Sequence, residues 1–177
     1  MKFRVSLCAL LMLTATTWVC GQGAKVQRTP EDYLPRTMRQ LTVIQPPSIA
    51  AALAERNEKE VPDIIVHSDS LPSRVKVLYG GSTRPLNETK KSVILSWAHQ
   101  FAGLVEFYTV PYQTEALFTE NGENYWVAMR QEFLPKFEQE FKEGDAIELF
   151  LIKIGSVKKE NENKLEPVLL IEQYLKR

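Results

Sequence analysis

Four side chains in the second half of the chain have types and spacing suited to holding a ligand: Tyr108, Tyr112, Trp126 and Arg130. Phe107, Phe118 and Tyr125 crowd into the same stretch. Aromatic faces at strand spacing stack bases or sugar rings, and a cation beside them holds an anionic group. If 105–110 and 124–129 are strands, alternation puts Phe107 with Val105 and Tyr125 with Val127, while Tyr108 and Trp126 take the opposite faces. One member of each pair must line a core. The others form a ligand-binding strip, and Arg130 supplies its cation.

Catalytic arrangements are harder to assemble. His67 and His99 are the only histidines. His67-Ser68-Asp69-Ser70 looks like fragments of a nucleophile–base set, but triad partners meet through the fold, and no Gly-x-Ser-x-Gly elbow presents a serine. A turn explains those residues better, since Ser and Asp satisfy local backbone groups. His99 stands two positions from Trp97 and so points away from an apolar helix face. Glu138, Glu140, Glu143, Asp145 and Glu148 flank a phenylalanine stripe and read as a solvated face rather than a glycosidase pair. Gly80-Gly81-Ser82 is a turn, not a phosphate cradle, and Asn87-Glu88-Thr89 matches a glycosylation acceptor by chance. No catalytic residue, metal ligand set or cofactor motif is assigned.

Residues 1–21 read as a cleavable export signal. Lys2 and Arg4 precede an apolar run, and Val19 and Gly21 have the spacing that a signal peptidase requires. The run is about 15 residues, short of the ~20 needed for a membrane-spanning helix. Both cysteines, Cys8 and Cys20, lie inside this segment, so the exported chain has no thiol for a disulfide or a zinc site. The alternative is lipidation at Cys20, although Thr17-Trp18-Val19 fits a lipoprotein signal poorly. The expectation is a periplasmic or secreted protein with no transmembrane helix in its mature form.

Charge bounds the partner. Residues 22–104 hold 11 basic and 8 acidic side chains, and residues 105–177 hold 9 and 14. An acidic C-terminal half repels a phosphate backbone, which weighs against nucleic acid and leaves an envelope protein as the expected partner.

The elements that must position the strip follow from periodicity. Residues 22–62 read as a flexible N-terminal segment, with five prolines between 30 and 62 and one short helix over 48–59. Residues 63–104 read as a strand–strand–helix unit. Its strands cover 63–67 and 74–79, and its helix runs from about Thr83 to Phe101 with Val93, Ile94, Trp97 and Phe101 on one face. In 105–177, strands are expected over 105–110, 114–119, 124–129, 146–154 and 168–174, with a helix over 131–143. Asn121-Gly122 forms a tight hairpin turn, and Phe133, Phe137 and Phe141 make one helix side apolar. Three strands, a helix and two strands is the chain order of an OB-fold. The expected fold class is therefore mainly β with α (α+β): a small OB-like five-stranded Greek-key barrel, with the strand–strand–helix unit packed on it. The rival is an open α+β sheet with two helices on one face.

The residues Glu120-Asn121-Gly122-Glu123-Asn124-Tyr125-Trp126-Val127, then Phe133-Leu134-Pro135 and Lys142-Glu143-Gly144-Asp145, resemble exported bacterial proteins of uncharacterised function. The resemblance covers roughly the last 60 residues and implies a bacterial origin, with no activity or site residue to carry over. The resulting expectation is an exported, non-enzymatic binding or interaction module. The alternatives are a single-stranded nucleic-acid-binding OB-fold and a carbohydrate-active enzyme.

Overall fold

A computed structural model describes residues 28–43, 63–103, 105–159 and 164–177. The export signal and the helix expected over 48–59 lie outside the described residues. The fold is mainly β with short helices, and no described helix is long and apolar enough to cross a membrane.

One strand organises the sheet. The two strands expected over 63–67 and 74–79 are a single strand, β2 (Ile64–Pro85), irregular between Val66 and Leu71. Gly80-Gly81 does not end it. Gly81 has φ 72°, and between Tyr79 and Thr83 the register shifts. A glycine bulge of this kind bends a strand without breaking it. As far as Leu78 β2 pairs antiparallel with β5 (Ala146–Lys158), and from Leu78 on, through the bend, with β3 (Tyr112–Glu120). Leu78 belongs to both ladders.

The rest of the sheet follows in order. β3 and β4 (Glu123–Arg130) form a hairpin whose Asn121 and Gly122 take positive φ, as a tight reversal requires. β5 pairs antiparallel with β6 (Leu165–Lys176). β6 meets β4 in parallel at one residue pair, Ala128 with Leu170. The order β2-β3-β4-β6-β5, returning to β2, makes a partial ring that is thinnest between β4 and β6. Strands from both sides of residue 104 thus share one sheet.

Helices cover the ring on two sides. Inside sit Val75, Val77, Phe118, Val127, Leu149 and Ile171. Helix α4 (Leu134–Glu140) buries Phe137 and Phe141 in this core, against Tyr79, Phe118 and Tyr174. It is shorter than the expected 131–143, with Pro135 in its first turn, where the missing N–H costs nothing. At the N-terminal side, β1 (Leu34–Pro35) pairs with β2, and α1 (Met38–Val43) buries Met38 and Leu41 in the same core. Tyr33 packs edge-on against Phe150. Residues 28–43, expected to be flexible, are therefore packed.

Outside, α2 (Glu88–Trp97) lies across β5 and β2, so β5 is buried on both faces. Asn87 is its N-cap and accepts from the Lys90 amide at 2.7 Å, which starts the helix later than the expected Thr83. Gly155 lets it approach: a Cβ there would stand 2.4 Å from the Ile65 carbonyl oxygen and 2.7 Å from Val93. A π-helical turn (Ala98–Ala102) then inserts a wider step. That step turns Phe101 off the apolar face, leaving it 45% exposed while Ala98 is buried.

Residues 105–110 are not a strand. They form α3 (Val105–Thr109) between Gly103, in the left-handed region, and Pro111. Tyr108 and Phe107 pack around Trp97, and that tertiary contact overrides the aromatic preference for strand.

Candidate functional site

The four strip residues separate into two places. Tyr108, Tyr112 and Arg130 come together with Phe107 and Trp97, but as packing. Tyr108 is buried 4.8 Å from the Trp97 ring and lies parallel to Tyr112 at 6.5 Å. Tyr112 is 1% exposed, and its hydroxyl donates to the Ile171 carbonyl at 2.9 Å. Burial holds both phenols above their usual range. The Arg130 guanidinium covers the Phe107 ring at 4.7 Å, and its Nε lies 2.7 Å from a Glu132 oxygen without hydrogen-bond alignment. The expected strip fails because Tyr108 stands on a helix, and both tyrosines face the helix–sheet core.

Trp126 is elsewhere, on the outer face of β4 in a groove of about 1140 Å³. The groove runs along the opening between β4 and β6. Tyr125 and Trp126 line one side and Leu165, Glu166 and Pro167 the other. α1 contributes Arg39, Thr42 and Val43, and Lys159 and Lys164 border the far end. Its walls are the parts of β4 and β6 that lie outside their one ladder pair, Ala128 with Leu170.

A charged cluster fixes the outer wall. Arg84, on the last part of β2, lies over the Trp126 ring with its guanidinium carbon 3.9 Å from the centroid. Its Nε donates to Glu115 at 2.6 Å, and the other Glu115 oxygen accepts from Lys90 Nζ at 2.7 Å. Lys90 also donates to Glu166 at 2.5 Å. Lys90 and Glu115 are buried, whereas the Arg84 side chain is 45% exposed. The buried pair thus holds Arg84 over Trp126 in the groove wall. Tyr125 donates to Glu123 at 2.6 Å, and burial together with that carboxylate raises its phenol.

Sequence spacing did not point to Arg84, Lys90, Glu115 or Glu166. The one available signal was Glu115, an acidic residue in a strand whose neighbours include Ala116 and Phe118. A carboxylate there must either face water or meet a cation.

The other sequence candidates are placed as follows. His99 is exposed on the π-helical turn, and Glu138, Glu140 and Glu143 are exposed around α4. His67 is buried in β2, and burial plus the nearby Lys153 charge lower it to about 4. Lys153 faces the ring interior and donates to the Leu41 carbonyl at 2.7 Å; burial lowers it to about 8. Two carboxylates do converge, Glu115 and Glu166, yet both bind Lys90 and both Glu115 oxygens are occupied. Lys90 is buried between carboxylates, and Lys91 is paired with Glu88.

No protein-family model, curated protein or solved structure matches the chain.

Proposed function

We propose that this protein is an exported, non-enzymatic binding module on an OB-like barrel, with its ligand site in the opening between β4 and β6. Support for the barrel is the ring order, with the α4 helix between the third and fourth ring strands and a parallel contact between the third and fifth. The first ring strand on this reading is β2 rather than residues 105–110. Support for export remains the sequence of residues 1–21.

The Arg84–Trp126 pair is the observation that carries the binding reading. A half-open aromatic face capped by a fixed guanidinium is costly to maintain for stability alone, because the arrangement requires two buried charges behind it. Binding, rather than catalysis, is favoured because both Glu115 oxygens already accept from Arg84 and Lys90, which leaves no pair of free carboxylates facing each other.

Intrinsic fluorescence tests this in a Trp97→Phe background, where Trp126 dominates the described region. Three probes are titrated: an eight-nucleotide oligodeoxythymidine, a hexasaccharide of N-acetylglucosamine and a pooled random nonapeptide library. A saturable change in Trp126 emission with any of them, abolished by Arg84→Ala, supports the reading. No response to all three removes it. A response to the oligonucleotide that weakens steeply with salt shifts the module to the nucleic-acid alternative.

A further inference from the structure

We infer that residues 28–43 are a latched strap: they dock on the ring as one unit, Glu172 is the latch, and the docked strap supplies one wall of the groove, so that docking and ligand binding are coupled. The coupling rests on the binding site proposed above; the latch does not.

The latch is built on two interruptions of the sheet. In β6, Gln173 pairs with Phe150 and Ile171 with Leu151, so Glu172 is the extra residue of a bulge. A bulge re-aims a side chain. The Glu172 carboxylate accepts from Arg28 at 2.8 and 2.9 Å, one bond to each oxygen, and from the Tyr33 hydroxyl at 2.7 Å. Arg28 also donates to Ser70 at 3.2 Å, and Ser70 stands in the irregular stretch of β2 between Val66 and Leu71. Because β5 lies between β2 and β6, Arg28 bridges it from one side to the other. The Arg28 and Glu172 side chains are each 16% exposed, and a pair so shielded holds more firmly than one in open solvent.

From the latch the chain passes to the other face of the sheet. Leu149 and Leu151 line the inner core, so Phe150, with Tyr33 packed edge-on against it, faces outward. The strap then follows β2 through two residue pairs, Leu34 with Ser73 and Pro35 with Arg74, and the Arg36 amide donates to the Arg74 carbonyl at 3.0 Å. α1 comes next and buries Met38 and Leu41. At six residues it is too short to hold as an isolated helix, so it forms only where the core receives it. The same helix places Arg39, Thr42 and Val43 in the groove wall.

The latch at one end and the groove wall at the other are thus joined by a short ladder and one short helix. Segments held this way open at less than the cost of global unfolding. A ligand that contacts the α1 wall binds only the docked state and stabilises it by mass action.

Hydrogen exchange of the full chain tests both parts. Glu172→Gln weakens a charged latch, and exchange of the Arg36 and Leu41 amides speeds up about tenfold or more while the β3–β4 hairpin amides keep their rate. Tyr33→Phe removes one bond of the latch and speeds the same amides by a smaller factor, which keeps the test available if Glu172→Gln does not fold. Unchanged exchange at Arg36 and Leu41, or equal acceleration in the hairpin, overturns the latch. For the coupling, a probe that titrates Trp126, present at about 100 times its Kd, slows exchange in residues 38–43 about a hundredfold. If it titrates Trp126 while 38–43 exchange at the free rate, the site stands and the coupling is wrong. If no probe titrates Trp126, site and coupling fall together, and the two variants alone decide the latch.

Discussion

Replacing Lys90 by Met tests whether the buried charges behind Trp126 act as one unit. The methionine keeps the length and apolar stem of the lysine and deletes its charge. Lys90 Nζ now bonds Glu115 at 2.7 Å and Glu166 at 2.5 Å. Removing one partner of a buried ion pair costs about 3–5 kcal/mol, because the other charge is left bare in a poorly polarisable site. Glu115 keeps its Arg84 contact, and Glu166 is 28% exposed and rehydrates. The cost therefore falls at the lower end, about 3 kcal/mol. Glu115→Leu alone strands Lys90 with Glu166 and costs about 2 kcal/mol by the same reasoning. In the double variant no buried charge remains, Arg84 returns to solvent, and the total loss is about 1–2 kcal/mol. The singles are thus non-additive by about 3 kcal/mol. Urea denaturation of the four proteins at pH 7 measures the cycle, each midpoint read with its slope. A Lys90→Met loss below about 1 kcal/mol, or additive singles, would refute the buried unit and with it the fixed orientation of Arg84.

Three further outcomes are expected. Phe137→Ala removes a ring packed against Tyr79, Phe118, Phe141 and Tyr174 and costs about 3–5 kcal/mol in chemical denaturation, whereas exposed Glu138→Ala changes stability by less than ~0.5 kcal/mol. Gly155→Ala forces a Cβ against the Ile65 carbonyl and Val93, so thermal unfolding shows a loss of several degrees, about 2 kcal/mol or more. His67 has a folded value of about 4, below its unfolded 6.5, so the stability gained by keeping the ring neutral is complete above about pH 6.5. It is lost as pH falls toward 4, up to a ceiling on the order of 3 kcal/mol, and His67→Gln flattens that slope in denaturation curves run across the window.

Much of the sheet was readable because local signals sufficed. Asn121-Gly122 fixed the β3–β4 hairpin, and the four-residue spacing of Phe133, Phe137 and Phe141 marked α4 as a core plug. The failures share a cause, which is that partners distant in sequence decided the local structure. Gly80-Gly81 signals a strand end by composition, yet the chain continues because β2 exchanges β5 for β3 at that bend. Residues 105–109 have strand composition and form a helix because Trp97 supplies a contact for Tyr108. The strip of Tyr108, Tyr112 and Arg130 fell with that misread strand. Trp126 was named from sequence, but its partner Arg84 lies across the β2–β3–β4 layer, where no spacing rule connects them.

The most direct measurement is an amide and indole chemical-shift map of the full, nitrogen-15-labelled chain with whichever of the three probes titrates Trp126. The prediction is that the largest shifts fall on the Trp126 indole, on residues 123–127 and 165–169, and on Arg84, while the Tyr108–Tyr112–Arg130 cluster stays within noise. Saturable shifts centred on Tyr108, Tyr112 and Arg130, with the β4–β6 opening silent, would contradict the assignment and restore the site first expected from the sequence.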